Sequence, residues 1–476
     1  MTRNFALEDD GLFTISPALR KIGGEAPVVL KESTCYNPVH AILWACIARR
    51  YAGSRVTKTL RGDSMTRILL LTFFLLASAN AQTPQPTPLP ISRSISIADF
   101  GAKGNGTTDD TKAFVAAIAE AAKTGAELRL GDGTYLLKET LQLPNAGHPF
   151  SIVGGQGTRL LFAPDHPLDS GFVIAKASGV ALRSFTLHGS GAGLDHAISV
   201  VGSTNIRLDH LQIESIHGTG ALALSAILLG TDDQVWITNC TFKDIGAAAG
   251  KPSFVITNYY RAHSEHIYID HNQMSGNTAS IVIGIFDTDH SVIEDNIING
   301  GNLCVRPCGN NGYGVLLYRL GTPTAPKIVD ETIIGNHISN TAGSGIYLAG
   351  VNGGKVADNT ITDTTLQQDG TSLPAAGIAL NGSDNIHILG NIIQRSGRCG
   401  IAISTTQDIT IEGNQIRDIS TWAIHLRGAQ VRTAVNKNVI DGASIGISIA
   451  SDTSSTTLEG NVQTRVKQPM KDLSVH

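Results

Sequence analysis

The 476 residues include 51 glycines, 5% aromatic and 16% charged side chains, and a formal net charge of -4. Such a chain is too apolar to be disordered, and its many Ile, Val, Asn and Thr residues between glycines predict short β-strands joined by tight turns. Removing the 10 basic and 6 acidic residues of positions 1–81 leaves 26 basic against 34 acidic, a balance of -8 that, with no basic cluster in the sequence, argues against a nucleic-acid partner.

Residues 1–64 hold no legible fold or site and read as an upstream extension ahead of a start at Met65. Met65-Thr66-Arg67, the apolar run 68–76 and a small-residue stretch ending at Ala81 form the three parts of a secretory signal. The run is much shorter than the ~20 residues of a membrane span. Residues 65–81 are therefore expected to be a cleaved signal peptide. The protein is then secreted, extracellular or periplasmic, with no membrane association after cleavage. In residues 82–94 proline alternates from Pro84 to Pro90, which predicts an extended linker and no fold element. Cys240, Cys304, Cys308 and Cys399 follow; export permits a disulfide, and Cys304 with Cys308 are spaced to staple one loop.

Asp99-Phe100-Gly101-Ala102 and Gly106-Thr107-Thr108-Asp109-Asp110-Thr111 lead into Phe114, Ala117, Ile118 and Ala121, the spacing of an amphipathic helix ending near Gly125. Gly133-Thr134-Tyr135 closes the next strand. Over residues 95–137 this order of motifs resembles the entry segment of the pectate-lyase superfamily, in its rhamnogalacturonase and epimerase-like branch. The resemblance implies a helix that caps the amino-terminal end of a β-helix, with Asp99, Asp109 and Asp110 in structural roles.

From residue 180 to 462 the chain repeats. An Asn flanked by apolar positions returns at 272, 296, 336, 359, 391, 414, 438 and 461, at intervals of 24, 40, 23, 32, 23, 24 and 23, with weaker copies at Phe185, Leu211 and Cys240. A second strand of the form Gly-Ile-x-Leu lies between them, as at Gly345-Ile346-Tyr347-Leu348. Strands this short cannot stand alone, but stacked coils bury each apolar column and pair every backbone edge. The expected fold is all-β: a single-stranded right-handed parallel β-helix, or solenoid, over residues 95–476, with an N-terminal capping helix within 95–137, an Asn ladder, and a monomeric state. Eleven repeat positions at about 4.8 Å per coil span roughly 50 Å.

Function should gather where coils exceed the 23-residue minimum, at 240–272, 296–336 and 359–391. Tyr260, Arg261 and His263, then Asp287, Asp289 and His290, then Tyr318 and Arg319 lie near the first two insertions. β-Elimination or C5 epimerisation of a uronate needs a cation at the carboxylate, a base for the C5 proton and a proton donor. Arg261 or Arg319 could neutralise, His263, His290 or a tyrosine could act as base, and Tyr260 or Tyr318 could donate. Hydrolysis needs two carboxylates about 5–9 Å apart, here Asp287 with Asp289 or either with the Asp232-Asp233 turn. Residues 286–290, Phe-Asp-Thr-Asp-His, are similar to the F-D-P-H strand end of mannuronan C5-epimerases, with one residue more and no proline. The N-T-D, G-H-G and R-I-K signatures of polygalacturonases are absent.

The expected function is a secreted carbohydrate-active enzyme acting on an acidic, uronate-containing polysaccharide by β-elimination or epimerisation. The alternatives are a glycoside hydrolase using paired Asp residues and a non-catalytic glycan-binding β-helix. No cofactor is required; calcium is an option that the resemblance implies, and no acidic cluster in the sequence marks a site for it. His425 and Arg427, on a coil of standard length, are expected to be surface residues.

Overall fold

The computed structural model describes residues 84–190, 193–218, 224–246, 253–258, 263–300, 312–321, 326–365 and 375–474. The expected signal peptide, Tyr260, Arg261, Cys304 and Cys308 lie outside them. Each regular coil contributes one strand to a first sheet and, after a turn at the Asn position, two strands to a second; Asp384–Leu389, Ile392–Gln394 and Cys399–Ser404 make one such coil. Each strand pairs in parallel with its equivalent in the next coil: Asp384 with Gln407, Ile392 with Gln415, Cys399 with Trp422. Apolar side chains at alternate positions then stack into columns, such as Ile256, Ile283, Val315, Ile346, Ile378, Ile401 and Ile424. All seven are fully buried in one continuous interior, and each burial is worth about 1.5–3 kcal/mol.

The Asn residues form the expected ladder. From Asn272 to Asn461, each Nδ2 donates to the Oδ1 of the next Asn at 2.9–3.0 Å, and that same Oδ1 accepts the backbone N–H of the Asn before it. The second Nδ2 hydrogen reaches a backbone carbonyl, as from Asn391 to Val356. Phe185, Leu211 and Cys240 continue the column as buried side chains, so the weaker copies mark real coils.

The glycine of the Gly-Ile-x-Leu strand is required by packing. A Cβ on Gly345, Gly377 or Gly400 would lie 2.5–2.6 Å from Cγ2 of Ile361, Ile393 or Ile416 and 2.6–2.9 Å from a carbonyl of the next coil. The two strands of the second sheet can turn their corner this tightly only where no side chain intervenes.

At the amino-terminal end helix α1, Thr111–Thr124, buries Phe114, Ala117, Ile118 and Ala121 in the interior shared with the first coils. Asp110 accepts from the backbone N–H of Lys103 and Gly104, Asp109 accepts from Thr111, and Asp99 closes a capping box with Ser96. All three carboxylates serve local structure, as expected. The proline-rich segment departs from the reading as a linker: residues 84–91 lie along the first sheet, where Trp236 Nε1 donates to the Pro84 carbonyl at 2.8 Å and Arg207 to that of Thr87. Cys240 and Cys399 are buried free thiols pushed up to about 12 by burial, so neither is a thiolate at neutral pH.

Candidate functional site

The sequence candidates divide between two places. Register sets Ser264 beside Thr288 and Glu265 beside Asp289. His263 Nε2 then lies 3.4 Å from Glu265 and 3.6 Å from Asp289, His266 hydrogen-bonds Asp233 at 2.8 Å, and the His266 and His290 rings stack at 5.2 Å. His263, Asp289, His290 and Asp233 are thus brought together, with Glu265 and His266 added by stacking. The cluster is open to solvent, with the His263, Glu265 and Asp233 side chains about half exposed. Asp233, Glu265 and His266 can each offer one ligand atom within 4.8 Å of the others, a grouping created by register and invisible along the chain. Two carboxylates and an imidazole do not suit calcium, which takes roughly six to eight oxygens.

Two candidates are committed elsewhere. Asp232 is 2% exposed and accepts from the N–H groups of Ser203 and Gly230; burial pushes it up to about 7. Asp287 sits at a left-handed turn with φ 43° and accepts from the Leu320 N–H at 2.7 Å. Asp232 and Asp287 thus each hold backbone N–H groups at turns of the coils.

Behind Asp289 lies Glu331, 1% exposed, with Oε2 accepting from the Ser291 N–H. Burial raises its carboxyl well above its ordinary value of 4.5, and Asp289 and Asp330 push the same way. A proton held by the fold and released on unfolding favours the native state at low pH; that advantage is lost as pH rises above 4.5 toward the folded value. Glu331→Gln is therefore expected to raise the melting temperature at about pH 8 and leave it nearly unchanged at about pH 4, as measured by thermal unfolding at both.

Tyr318 and Arg319 belong to the outer face of the second sheet. Register stacks Leu316, Tyr347, Ala379, Ala402 and His425 in one outward column and Tyr318, Ala349, Asn381, Ser404 and Arg427 in the next. Much of these columns belongs to a second apolar cluster that includes Phe254, Phe286, Tyr313, Leu316, Tyr347, Ala379 and Ala402. Arg319 lies over Gly350, whose φ of 73° and missing Cβ leave room for the side chain. Tyr347 is hydrogen-bonded to the Asn381 side chain, with Tyr318 and Arg427 within electrostatic reach. Burial raises the Tyr347 phenol, which stays protonated.

Further along, Trp422 and His425 stack at 4.7 Å, and the Arg398 guanidinium stands over Trp422 at 5.7 Å. His425 is driven down to about 4, first by burial and then by Arg427, Arg398 and Lys471, so its imidazole is neutral at neutral pH. Its Nδ1 has no hydrogen-bond partner among the described residues. The expectation that His425 and Arg427 are plain surface residues is thus corrected: both are half-buried in an aromatic and cationic setting. The missed signal was the x position of the repeat, which reads Tyr347, Ala379, Ala402 and His425 from coil to coil.

Residues 305–462 match the family described as right handed beta helix region, and residues 94–158 match rhamnogalacturonase A/epimerase, pectate lyase-like. These two matches, over parts of the chain, support a pectate-lyase-like β-helix protein. This β-helix protein is 23% identical over 417 residues to the preneck appendage protein of Bacillus phage PZA, covering 68% of this chain and 47% of that one. It is 26% identical over 201 residues to a capsule KN3-specific depolymerase of Klebsiella phage KN3-1, covering 36% of this chain and 24% of the depolymerase. The chain therefore spans less than half the length of these curated relatives. Among solved structures, the A-module of a mannuronan C-5 epimerase from Azotobacter vinelandii superposes with a TM-score of 0.52 at 17% identity, over 80% of this chain and 98% of the module. At that identity the likeness is one of fold.

Proposed function

We propose that this β-helix protein acts on an acidic, uronate-containing polysaccharide, by β-elimination or C5 epimerisation, on the outer face of the second sheet. The observation that carries the reading is the grouping of a neutral imidazole, His425, with Arg427, Arg398 and Trp422 on one half-buried edge. Arg427 and Arg398 supply positive charge for the uronate carboxylate, which acidifies the C5–H bond; His425 takes that proton. In elimination the C4–O bond then breaks, a C4–C5 double bond forms, and the imidazolium returns its proton to the departing oxygen. In epimerisation water gives a proton to the opposite face of C5, and the hydroxide left behind is neutralised by the proton that the imidazolium releases. Tyr347 and Asn381 lie up to three coils away, about 14 Å, and contact a neighbouring unit of the same chain. A depolymerase and an epimerase among the similar proteins support a polysaccharide substrate. Export directed by residues 65–81 belongs to the same proposal.

The test is incubation of the protein with pectate, rhamnogalacturonan, alginate and neutral glycans, following ultraviolet absorbance, reducing ends and proton NMR of the polymer. Elimination is expected to raise absorbance and reducing ends together, and epimerisation to change only the NMR signature of the uronates. Reducing ends without absorbance would overturn the reading in favour of hydrolysis, and silence in all three would leave a glycan-binding β-helix.

A further inference from the structure

On the first sheet, residues 84–91 roof a cavity of about 590 Å³, within the roughly 300–1,000 Å³ usual for small-molecule sites. Its roof is mainly apolar, with Pro86, Pro88, Leu89 and Ile91 beside Gln85, and its floor is mainly polar. Register stacks Arg207, Trp236 and Tyr268 on neighbouring coils; Trp236 and Tyr268 are 5.2 Å apart, and the Arg207 guanidinium is 5.9 Å from the indole. The next outward column places Arg183, Asp209, Thr238 and Asp270 side by side.

Several floor groups are buried with hydrogen-bonding capacity unused among the described residues. Asp270 is 6% exposed; its Oδ2 pairs with His271 at 3.0 Å, and its Oδ1 has no partner. The Nε of Arg207 and the Oγ of Ser151 are buried in the same condition. A buried donor or acceptor left unmatched costs about 1–3 kcal/mol, and three around one cavity mark a place where a polar ligand is welcome.

We propose that this cavity is a binding site for a neutral saccharide of one or two units, held with its hydroxyls toward Asp270, Arg207 and Ser151 and its C–H face toward the proline roof. The neutral class follows from pairing: Arg183 lies against Glu127, His210 against Asp209 and His271 against Asp270, and Arg207 donates to Thr87 and Asn205, so the lining charges are engaged with one another rather than turned to an anionic sugar. The site lies on a different sheet from the proposed reaction face and does not depend on it.

The test is fluorine NMR of the full chain labelled with 5-fluorotryptophan, whose three resonances, from Trp44, Trp236 and Trp422, are assigned with single Trp→Phe variants. Cellobiose and maltose are the probes, with galacturonic acid as the charged comparison. The expected result is a saturable shift of the Trp236 resonance with a neutral disaccharide, weakened about tenfold or more by Asp270→Asn, which keeps the side-chain shape. A silent Trp236 resonance, a response to galacturonic acid alone, or an affinity unchanged by Asp270→Asn would each overturn the proposal. Because the readout is binding at Trp236, it stands or falls separately from turnover at Arg427 and His425.

Discussion

Asn391→Ala is expected to lower the unfolding free energy by about 3 kcal/mol, far more than removing a surface Asn would. Asn391 is fully buried, and its side chain makes four hydrogen bonds: it donates to Val356 and Asn414 and accepts from the backbone and the side chain of Asn359. Alanine removes them all and leaves two donors of Asn359 and the Val356 carbonyl short of a partner in a region water does not reach, while the Asn414 oxygen keeps the N–H of residue 391. Each stranded group costs about 1–3 kcal/mol before relaxation, and relaxation is limited because coils on both sides are locked in register. Urea unfolding of the wild type and the variant checks this, and a loss below about 1 kcal/mol would mean that the ladder is dispensable. Asn391→Asp should also destabilise, since an acceptor replaces the Nδ2 donor facing the Val356 carbonyl.

The second large effect is on activity. Arg427→Ala is expected to reduce kcat/KM on the uronate polymer about 100-fold or more, with Arg427→Lys retaining part of it, because charge at the carboxylate is needed most as negative charge spreads from C5 in the transition state. His425→Gln should lose comparable activity while unfolding like the wild type. If His425 is the base, the acid limb of kcat/KM should fall near a pKa of about 4, well below the ordinary imidazole range. Variants at both positions that keep full turnover would remove this face from the reaction and return attention to His263, Asp289 and His290.

The repeat made the architecture legible because parallel coils turn a one-dimensional period into a three-dimensional column. An Asn returning every 23 or 24 residues and a Gly-Ile-x-Leu strand between returns were enough to place the interior and the ladder. Site residues were harder to read because chemistry here depends on which outward side chains share a column. Glu265 and Asp289 are 24 positions apart and become neighbours only through pairing. Tyr347 and His425 lie in one outward column, separated by two alanines that hid the relation. The proline-rich stretch was misread for another reason: local composition describes its extended backbone but says nothing about Trp236 and Arg207, which receive it far along the chain.

The stacking that builds the ladder also makes the length of this molecule a discrete quantity. Because Asn391 and Asn414 occupy equivalent places 23 residues apart, excising residues 391–413 rejoins a glycine, Gly390 in place of Gly413, to Asn414 and sets Asn359 against Asn414. Cutting away part of a turn through these strands would shift later strands out of their columns and turn apolar faces toward water. Such a scaffold can be lengthened or shortened only in whole turns, as a spiral stair changes height, with each storey carrying its own outward-facing side chains.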